Sequence, residues 1–424
     1  FASLSRITAE ISGSKEEVSP MSLNAVPFGE RIHIGIFGRR NAGKSSLINA
    51  ITGQKLSIVS DVKGTTTDPV QKSMELLPLG PVVLIDTPGL DDLGELGKLR
   101  IQKATQMLQK TDLALLVVDG TVGASQEDLK IFRLIKDKEI PCIIAVNKCE
   151  LLPSSSVSFP EEWSKEQVIF VSALKKIHIQ ELKELMGTQI KSCSKNCPLV
   201  ADLIEPEDYI LLVIPIDKAA PKGRLILPQQ QTIRDILDKG GIPILVRDKE
   251  LQTALNRLET AGTPPALVIT DSQIFPQVAA MVPKNIPLTS FSILFTRYKG
   301  NLETAAAGAS VIDTLEHDDL ILISEGCTHH RQCGDIGTQK LPKMLQAYTG
   351  KKLKFAFTSG TEFPSDLSPY RLIIHCGGCM LNEREMKYRQ GCAKTQNIPI
   401  TNYGIAIAHM KGILARSLAP FKQS

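Results

Sequence analysis

Residues 32–46 read IHIGIFGRRNAGKSS, and this stretch decides the fold class. Ile32–Phe37 has the apolar, β-branched character of a buried strand, and Gly38–Ser45 matches the phosphate-binding pattern that ends in Gly-Lys-Ser. The pattern functions between a strand and a helix, because the backbone N–H groups of the loop then point at phosphate oxygens. The stretch therefore predicts an α/β domain that binds a nucleotide.

The size and composition of the chain limit what it can be. A length of 424 residues predicts two or three domains. The net charge of +4 and the 5% of aromatic residues give no reason to expect a nucleic-acid partner. No apolar run is long enough to cross a bilayer, so no membrane partner is expected either. Nine cysteines without an even disulfide spacing indicate a reducing compartment.

Short β-branched runs alternate with amphipathic helical stretches from Arg31 nearly to the end, which predicts an α/β fold in three domains. A P-loop domain with a parallel sheet is expected over residues 29–192, followed by two smaller α/β domains over 199–284 and 288–424. The linker Lys191–Pro198 and the Pro-rich stretch Val282–Pro287 mark the boundaries. Residues 1–28 are interpreted as a disordered tail, with a trimmed organelle-targeting segment as the alternative.

Later residues complete a nucleotide site around the phosphate loop. Lys44 would reach the β- and γ-phosphates, while Ser45, Asp86 and Thr66 would hold Mg²⁺. The N–H of Gly89 would sense the γ-phosphate, which makes Lys44, Thr66, Asp86 and Gly89 the candidate catalytic residues. The loop residues expected to contact the nucleotide are Gly38, Arg39, Arg40, Asn41, Ala42, Gly43, Lys44, Ser45 and Ser46.

The base is expected between two further segments. Glu150, at the end of Asn147-Lys148-Cys149-Glu150, would accept hydrogen bonds from the two donors on the guanine edge, a pair that adenine cannot offer. Glu150 stands where this motif usually has Asp, and the extra methylene moves the carboxylate outward. Guanine selectivity is therefore expected but less secure. The predicted base-binding residues are Asn147, Lys148, Glu150, Ser172, Ala173 and Leu174.

The order and spacing of these motifs resemble those of translation-factor-like GTPases, most of all the branch with the tRNA-modification GTPase and its ribosome-assembly relatives. Leu90 stands where the Ras-like pattern has the water-orienting Gln, so intrinsic hydrolysis is expected to be slow. Asn41 matches the residue that helps these relatives bind K⁺. Asp92 or Glu95 is the candidate for positioning water.

Two cysteine motifs near the end of the chain indicate a metal centre. Cys327, His329, His375, Cys376 and Cys379 provide thiolates and imidazoles, which bind zinc or iron–sulfur clusters. Four of them would suit tetrahedral zinc, and three thiolates would suit a [4Fe–4S] cluster with one exchangeable iron position. Both motifs follow predicted strands, and the carboxyl ends of such strands meet at one edge of a sheet. We therefore expect the three cysteines to converge.

With these motifs the sequence resembles the [FeFe]-hydrogenase maturation GTPase family. The resemblance covers most of residues 29–424 and favours an iron–sulfur cluster over zinc. Its segments are Glu30–Gly38, Gly94–Gly97, Ala220–Gln229, Phe295–Gly300, Cys327–His330, His375–Met380 and Pro399–Gly404.

The resemblance implies a GTPase domain (29–192), a dimerisation domain (199–284) and a cluster-binding domain (288–424). Cys327, Cys376 and Cys379 match the cluster cysteines, and His329 and His375 would be the fourth ligand or would support the cysteines. Such proteins receive a CO- and cyanide-bearing di-iron precursor made with two radical-SAM maturases and deliver it to apo-[FeFe]-hydrogenase. GTP, Mg²⁺, the [4Fe–4S] cluster and K⁺ are the expected cofactors, and a homodimer is the expected assembly.

Two other functions fit parts of the sequence. One is an RNA- or ribosome-directed GTPase with a zinc-stabilised last domain, against which the absence of a basic cluster argues. The other is a redox enzyme, for which the sequence lacks a flavin or nicotinamide motif. The expected compartment is the cytoplasm, or an anaerobic organelle (a hydrogenosome, chloroplast or mitochondrion-related organelle) if the first residues are a targeting remnant.

Overall fold

A computed structural model gives the fold of residues 26–54, 70–87, 106–152, 159–193, 198–215, 225–326, 336–360 and 362–422. Several predicted features lie outside these described residues. They are the tail up to residue 25, Thr66, Gly89, Leu90, Asp92, Glu95, Cys327, His329 and His330. Within the described residues, no helix is both long and apolar enough to span a membrane.

The first sheet places the phosphate loop at the carboxyl-terminal ends of its parallel strands. Its described strands are β1 (Ile32–Phe37), β2 (Val70–Leu76), β3 (Gly80–Asp86), β4 (Leu113–Asp119), β5 (Cys142–Asn147) and β6 (Gln167–Phe170). They lie in the order β2-β3-β1-β4-β5-β6, and all pairs are parallel except β2 with β3. Every residue of β4 and β5 is buried, as expected when helices cover both faces of a parallel sheet.

The described helices of this unit are α1 (Lys44–Thr52), α2 (Gln126–Asp137) and α3 (Ile179–Cys193). The linker predicted from Lys191 begins too early, because α3 continues to Cys193. Ser125 caps α2 by accepting from the N–H of Asp128, whose carboxylate accepts from the N–H of Ser125 in return.

The second sheet extends past the predicted domain boundary. Its described strands are β7 (Tyr209–Val213), β8 (Ile242–Val246), β9 (Leu267–Thr270) and β10 (Leu288–Ser290), in the parallel order β10-β9-β7-β8. Its helices are α4 (Leu227–Lys239), α5 (Leu251–Thr260), α6 (Phe275–Met281) and α7 (Phe291–Lys299).

The predicted boundary between residues 284 and 288 is wrong. Leu288 lies in β10 and pairs with Val268 of β9, so the Pro-rich stretch Val282–Pro287 connects two elements of one sheet. Proline composition marks a loop, but it does not distinguish a connection within a sheet from a linker between domains.

The third sheet places side by side the ends of the two strands that precede the cysteine motifs. Its described strands are β11 (Leu320–Ser324), β12 (Lys354–Thr358), β13 (Leu372–His375) and β14 (Ile400–Asn402), in the parallel order β12-β11-β13-β14. Its helices are α8 (Leu302–Ser310), α9 (Leu341–Thr349), α10 (Glu383–Thr395), α11 (Tyr403–Met410) and α12 (Leu414–Leu418). Ser324 pairs with His375, so the carboxyl ends of β11 and β13 lie side by side.

The second and third units share a core. Ile405 and Ala408 of α11 pack in the same apolar cluster as Leu211 and Val213 of β7. Asn402 adds a polar link, because its Nδ2 donates to the carbonyl of Ser292 at 3.0 Å. The structure confirms the α/β fold, with a P-loop domain followed by further α/β units.

Candidate nucleotide and metal-cluster sites

The phosphate loop has the geometry that its sequence predicts. Lys44 begins α1 and is buried, and its Nζ donates to the carbonyls of Gly38 and Arg39 at 2.8 Å each. Gly43 caps this helix with φ +89°, and a Cβ there would lie 2.2 Å from Asn147 Nδ2. The ammonium and the first N–H groups of α1 therefore face one space, which suits phosphate oxygens.

The Mg²⁺ side of the site is partly described. Ser45 Oγ donates to Asp86 Oδ2 at 3.4 Å, so the two predicted Mg²⁺ ligands converge. Asp86 is the last residue of β3, which pairs with β1. Thr66 and Gly89, the other candidate catalytic residues, lie outside the described part of the chain.

Asn147 joins the phosphate loop to the base side. Its Nδ2 donates to the carbonyl of Ala42 at 2.9 Å, and its Oδ1 accepts from the N–H of Ala173 at 3.0 Å. Glu150 Oε2 is buried and has no hydrogen-bond partner among the described residues. A buried carboxylate oxygen without a donor is costly, and the donors of a guanine edge would satisfy it.

The structure also describes other residues that were predicted to bind the nucleotide. Ser172 is buried and its Oγ accepts from the N–H of Lys175 at 2.9 Å, whereas Leu174 is 79% exposed. Asn41 has φ +60° and is exposed at the loop surface. Arg40 and Ser46 are also exposed.

Asp119 is a site residue that the sequence analysis missed. Lys148 Nζ donates to its Oδ2 at 2.6 Å, and Arg39 lies 3.6 Å from the same oxygen. Burial alone would raise the pKa of Asp119, but the hydrogen bonds from Lys148 and Thr121 hold the pKa below its ordinary value. The sequence contained a signal for this residue, because Asp119 is the last residue of β4, just as Asp86 is the last residue of β3.

The cysteine segment, defined as residues 376–381, follows β13 directly. Cys376 Sγ accepts from the N–H of Gly326 at 3.0 Å and from the N–H of Gly378 at 3.4 Å. Backbone N–H groups around a sulfur are typical of thiolate metal ligands. Gly326 is the residue before Cys327, so this contact joins the end of the described chain ahead of the first motif to the second motif.

Cys379, like Cys376, is half-buried. Burial raises the pKa of the Cys379 thiol, and the nearby Lys299 ammonium opposes that shift. Cys376 and Cys379 are both free of disulfides. Among the described residues, no group of three or more His, Cys, Asp and Glu side chains could hold a metal ion. Cys327 and His329 lie outside those residues, so convergence of the three cysteines stays a prediction.

His375 supports the cysteine segment in this arrangement. Its Nε2 lies 3.0 Å from Arg389, and because a guanidinium only donates, Nε2 must accept. The proton is then on Nδ1, which donates to the carbonyl of Cys376 at 2.7 Å. Burial, with the Arg389 charge, lowers the pKa of His375 to about 3, so the ring is neutral. With both nitrogens engaged, His375 positions Cys376 rather than offering a free fourth ligand.

A small cavity of about 20 Å³, room for about one water, lies beside this histidine. Cys376, Arg389 and Thr401 are among its lining residues. Arg389 Nε and Thr401 Oγ1 are both buried without a hydrogen-bond partner among the described residues.

Comparison with known families adds three matches. Residues 33–148 match a family described as a 50S ribosome-binding GTPase. Residues 199–300 match the hydrogen maturase F dimerization domain, and residues 303–420 match the hydrogen maturase F tetramerization domain. The last two matches meet between α7 and α8. Their descriptions support self-association and add a tetramer-forming domain to the predicted homodimer.

Individual relatives match only part of this chain. The tRNA modification GTPase MnmE of Desulforamulus reducens is 34% identical over 166 residues, which are 38% of this chain and 35% of the relative. GTPase Era of Rippkaea orientalis is 27% identical and covers 58% of this chain and 78% of the relative. The chain thus spans about a third of the first relative's length. A crystal structure of Aquifex aeolicus Era has a TM-score of 0.34 at 22% identity and covers 51% of this chain and 92% of that one.

Proposed function

Because the chain belongs to the hydrogen maturase F family and carries a GTPase domain, we propose that it is a GTP-hydrolysing scaffold and carrier in [FeFe]-hydrogenase maturation. In this role it receives a CO- and cyanide-bearing di-iron precursor made with two radical-SAM maturases. It then delivers the precursor to apo-hydrogenase. The chain acts as a homo-oligomer.

The observation that carries the cluster part of the proposal is the contact between Gly326 and Cys376. The N–H of the residue before Cys327 donates to Cys376 Sγ at 3.0 Å, and Cys379 is three residues further on. Cys327, Cys376 and Cys379 would hold a [4Fe–4S] cluster by three thiolates. The donor set fits this group, because thiolates are its usual ligands and hydrogen bonds to sulfur stabilise their charge. When bound, such a cluster offers one iron position to an exchangeable ligand, which suits docking of the precursor.

The GTPase part rests on the geometry around Lys44. Lys44 and the N–H groups at the start of α1 bind the phosphates, and Ser45 and Asp86 hold Mg²⁺. Glu150 recognises the guanine edge through its buried oxygen. Asn41 contributes to a K⁺ site, and the bound ion stabilises the negative charge on the phosphates in the transition state as an arginine finger would.

GTP gates the association of partners rather than the metal chemistry. A coupling free energy of about 1–3 kcal/mol between nucleotide and partner changes partner affinity roughly 5- to 150-fold. The affinity of apo-hydrogenase for this protein is therefore expected to differ among the GTP-bound, GDP-bound and nucleotide-free states. Equal affinity in all three states would reject gating.

Anaerobic reconstitution with Fe²⁺ and sulfide tests the cluster. Wild-type protein is expected to turn brown and, after reduction, to give the electron paramagnetic resonance signal of a [4Fe–4S] centre. Cys379→Ser is expected to lose this signal and to hydrolyse GTP at the wild-type rate. Cys392→Ser is the matched control, because Cys392 packs in an apolar cluster away from the cysteine segment and should leave the signal intact.

A colourless wild-type protein that binds one zinc instead would overturn the carrier proposal. Activation of apo-hydrogenase after co-expression with the two radical-SAM maturases then tests delivery. Protein that carries the cluster but fails to activate apo-hydrogenase under these conditions would contradict delivery.

A further inference from the structure

Three parts of the chain meet at one buried ion pair. Lys299, the last residue of α7, lies with its Nζ 2.6 Å from Glu30 Oε1, in the helical turn Phe28–Glu30 that precedes β1. The same Nζ donates to the carbonyls of Leu381 at 2.8 Å and Cys379 at 3.3 Å. We call this contact the Glu30–Lys299 junction. It joins the first domain, the second domain and the cysteine segment.

The junction is enclosed and its partners are well matched. The Lys299 side chain is 2% exposed and that of Glu30 is 15% exposed. Tyr298 OH donates to Glu30 Oε2 at 3.1 Å, so the carboxylate is held from both sides. A buried ammonium needs a counter-charge and acceptors, and the two carbonyls of the cysteine segment supply the acceptors.

The backbone of the first domain lies against the same segment. A Cβ added at Gly29 would lie 2.8 Å from the carbonyl oxygen of Leu381 and 2.9 Å from that of Cys379. No side chain fits between these two stretches of backbone. The cysteine segment therefore packs directly on the turn that leads into β1.

A second contact fixes the segment that follows. Asn382 Nδ2 donates to the carbonyl of Lys110 at 2.7 Å, and Lys110 Nζ lies 3.9 Å from Glu385. Lys110 precedes β4, and Glu30 precedes β1. Because β1 and β4 are parallel neighbours, both contacts lie at the amino-terminal edge of the first sheet.

From these contacts we propose that Lys299 is a positioning residue that fixes the cysteine segment to the first domain, so that the two move as one body. The junction holds the carbonyl of Cys379 itself, and so sets the direction in which the thiol of that residue points. Only the claim that this thiol binds a cluster rests on the proposed function.

Hydrogen exchange on the apoprotein tests the junction without any metal. The probes are the amides of Leu381, which donates to Gly378 at 3.0 Å, and of Gly378. In Lys299→Met these amides are expected to exchange about tenfold faster or more, because a buried hydrogen bond to a charged group is lost. Glu30→Gln, which keeps shape and removes the charge, is expected to change the same amides in the same direction.

Lys239→Met is the matched control. Lys239 forms a more exposed ion pair with Glu205 at 3.8 Å, in the second domain and away from the segment. Its removal should leave exchange at Leu381 and Gly378 unchanged. Unchanged exchange in both Lys299→Met and Glu30→Gln, or an equal increase in Lys239→Met, would overturn the proposal.

Iron release separates this inference from the proposed function. In reconstituted protein, Lys299→Met is expected to lose iron to a chelator several-fold faster than wild type and Lys239→Met. If the amides of Lys299→Met exchange faster but its iron is released at the wild-type rate, the claim that Lys299 positions the thiol of Cys379 is overturned. A wild-type protein that binds no iron would refute the proposed cluster. Hydrogen exchange would still test whether Lys299 fixes the cysteine segment to the first domain.

Discussion

Replacing Arg389 with Met removes the charged centre of the network behind the cysteine segment. Arg389 is 1% exposed and donates to Glu385 Oε1 at 2.7 Å, to the carbonyl of Gly360 at 2.8 Å and to His375 Nε2 at 3.0 Å. Met is apolar and donates nothing. The Glu385 carboxylate then stays buried with Lys110, 3.9 Å away, as its remaining ion-pair partner among the described residues.

The magnitude follows from this loss of partners. Breaking a buried ion pair by removing one member costs about 3–5 kcal/mol, because the other charge is left uncompensated. The Lys110 ammonium offsets part of the cost. We therefore expect Arg389→Met to lower the free energy of unfolding of the third sheet by about 3 kcal/mol.

Native-state hydrogen exchange in β11 and β13 measures this free energy locally, which a multidomain chain requires. Trp163, the one tryptophan of the chain, is buried in the first domain, so its fluorescence transition should stay unchanged. Arg371→Met is the control in the same sheet, since its half-exposed side chain lies 4.0 Å from Asp319 and should contribute little. A loss below about 1 kcal/mol for Arg389→Met, the size of a surface pair, would refute the argument.

Three further predictions concern the first domain. Lys44→Ala is expected to abolish binding of a fluorescent GTP analogue while the reconstituted cluster signal persists; loss of both would contradict the division into separate sites. If Asn41 helps bind K⁺, phosphate release is faster in K⁺ than in Na⁺, and Asn41→Ala removes the difference; equal rates in the two salts for wild type would exclude this role. Because the pKa of Asp119 is held below its ordinary value of 3.8, its contribution to stability is full above that value and is lost as the pH falls through the folded-state pKa. Asp119→Asn should therefore flatten the acid limb of the Trp163 fluorescence transition, and an unchanged limb would count against the Lys148 ion pair.

The sequence predicted the elements whose pattern is local. The strand expected at Ile32–Phe37 agrees with β1 at both ends, because a continuous apolar, β-branched run defines it. The phosphate loop was predictable for the same reason, since its function depends on consecutive residues. The contact between Asn147 and Ala42 follows from the order of the motifs in such a domain.

The features that the sequence did not predict depend on contacts between residues far apart in the chain. The short strand Ile400–Asn402 has three residues and no alternation to detect, and its pairing with β13 is what makes it a strand. Tyr298 and Glu30 are 268 residues apart, and no local pattern connects them. Arg389 likewise lies in α10 without a motif around it, although its guanidinium, which only donates, decides the tautomer of His375.

The positions of the two sites limit how nucleotide can act on the cysteine segment. The phosphate loop follows β1, whereas the Glu30–Lys299 junction precedes β1, so the sites lie at opposite edges of the first sheet. The six residues of β1 span roughly 20 Å. A packed sheet transmits strain and does not deform continuously. A change at the phosphates is therefore expected to reach the cysteine segment through a movement of the whole first domain. Under the proposed gating, nucleotide would change access to the cysteines, while the geometry between Glu30 and Cys379 stays constant.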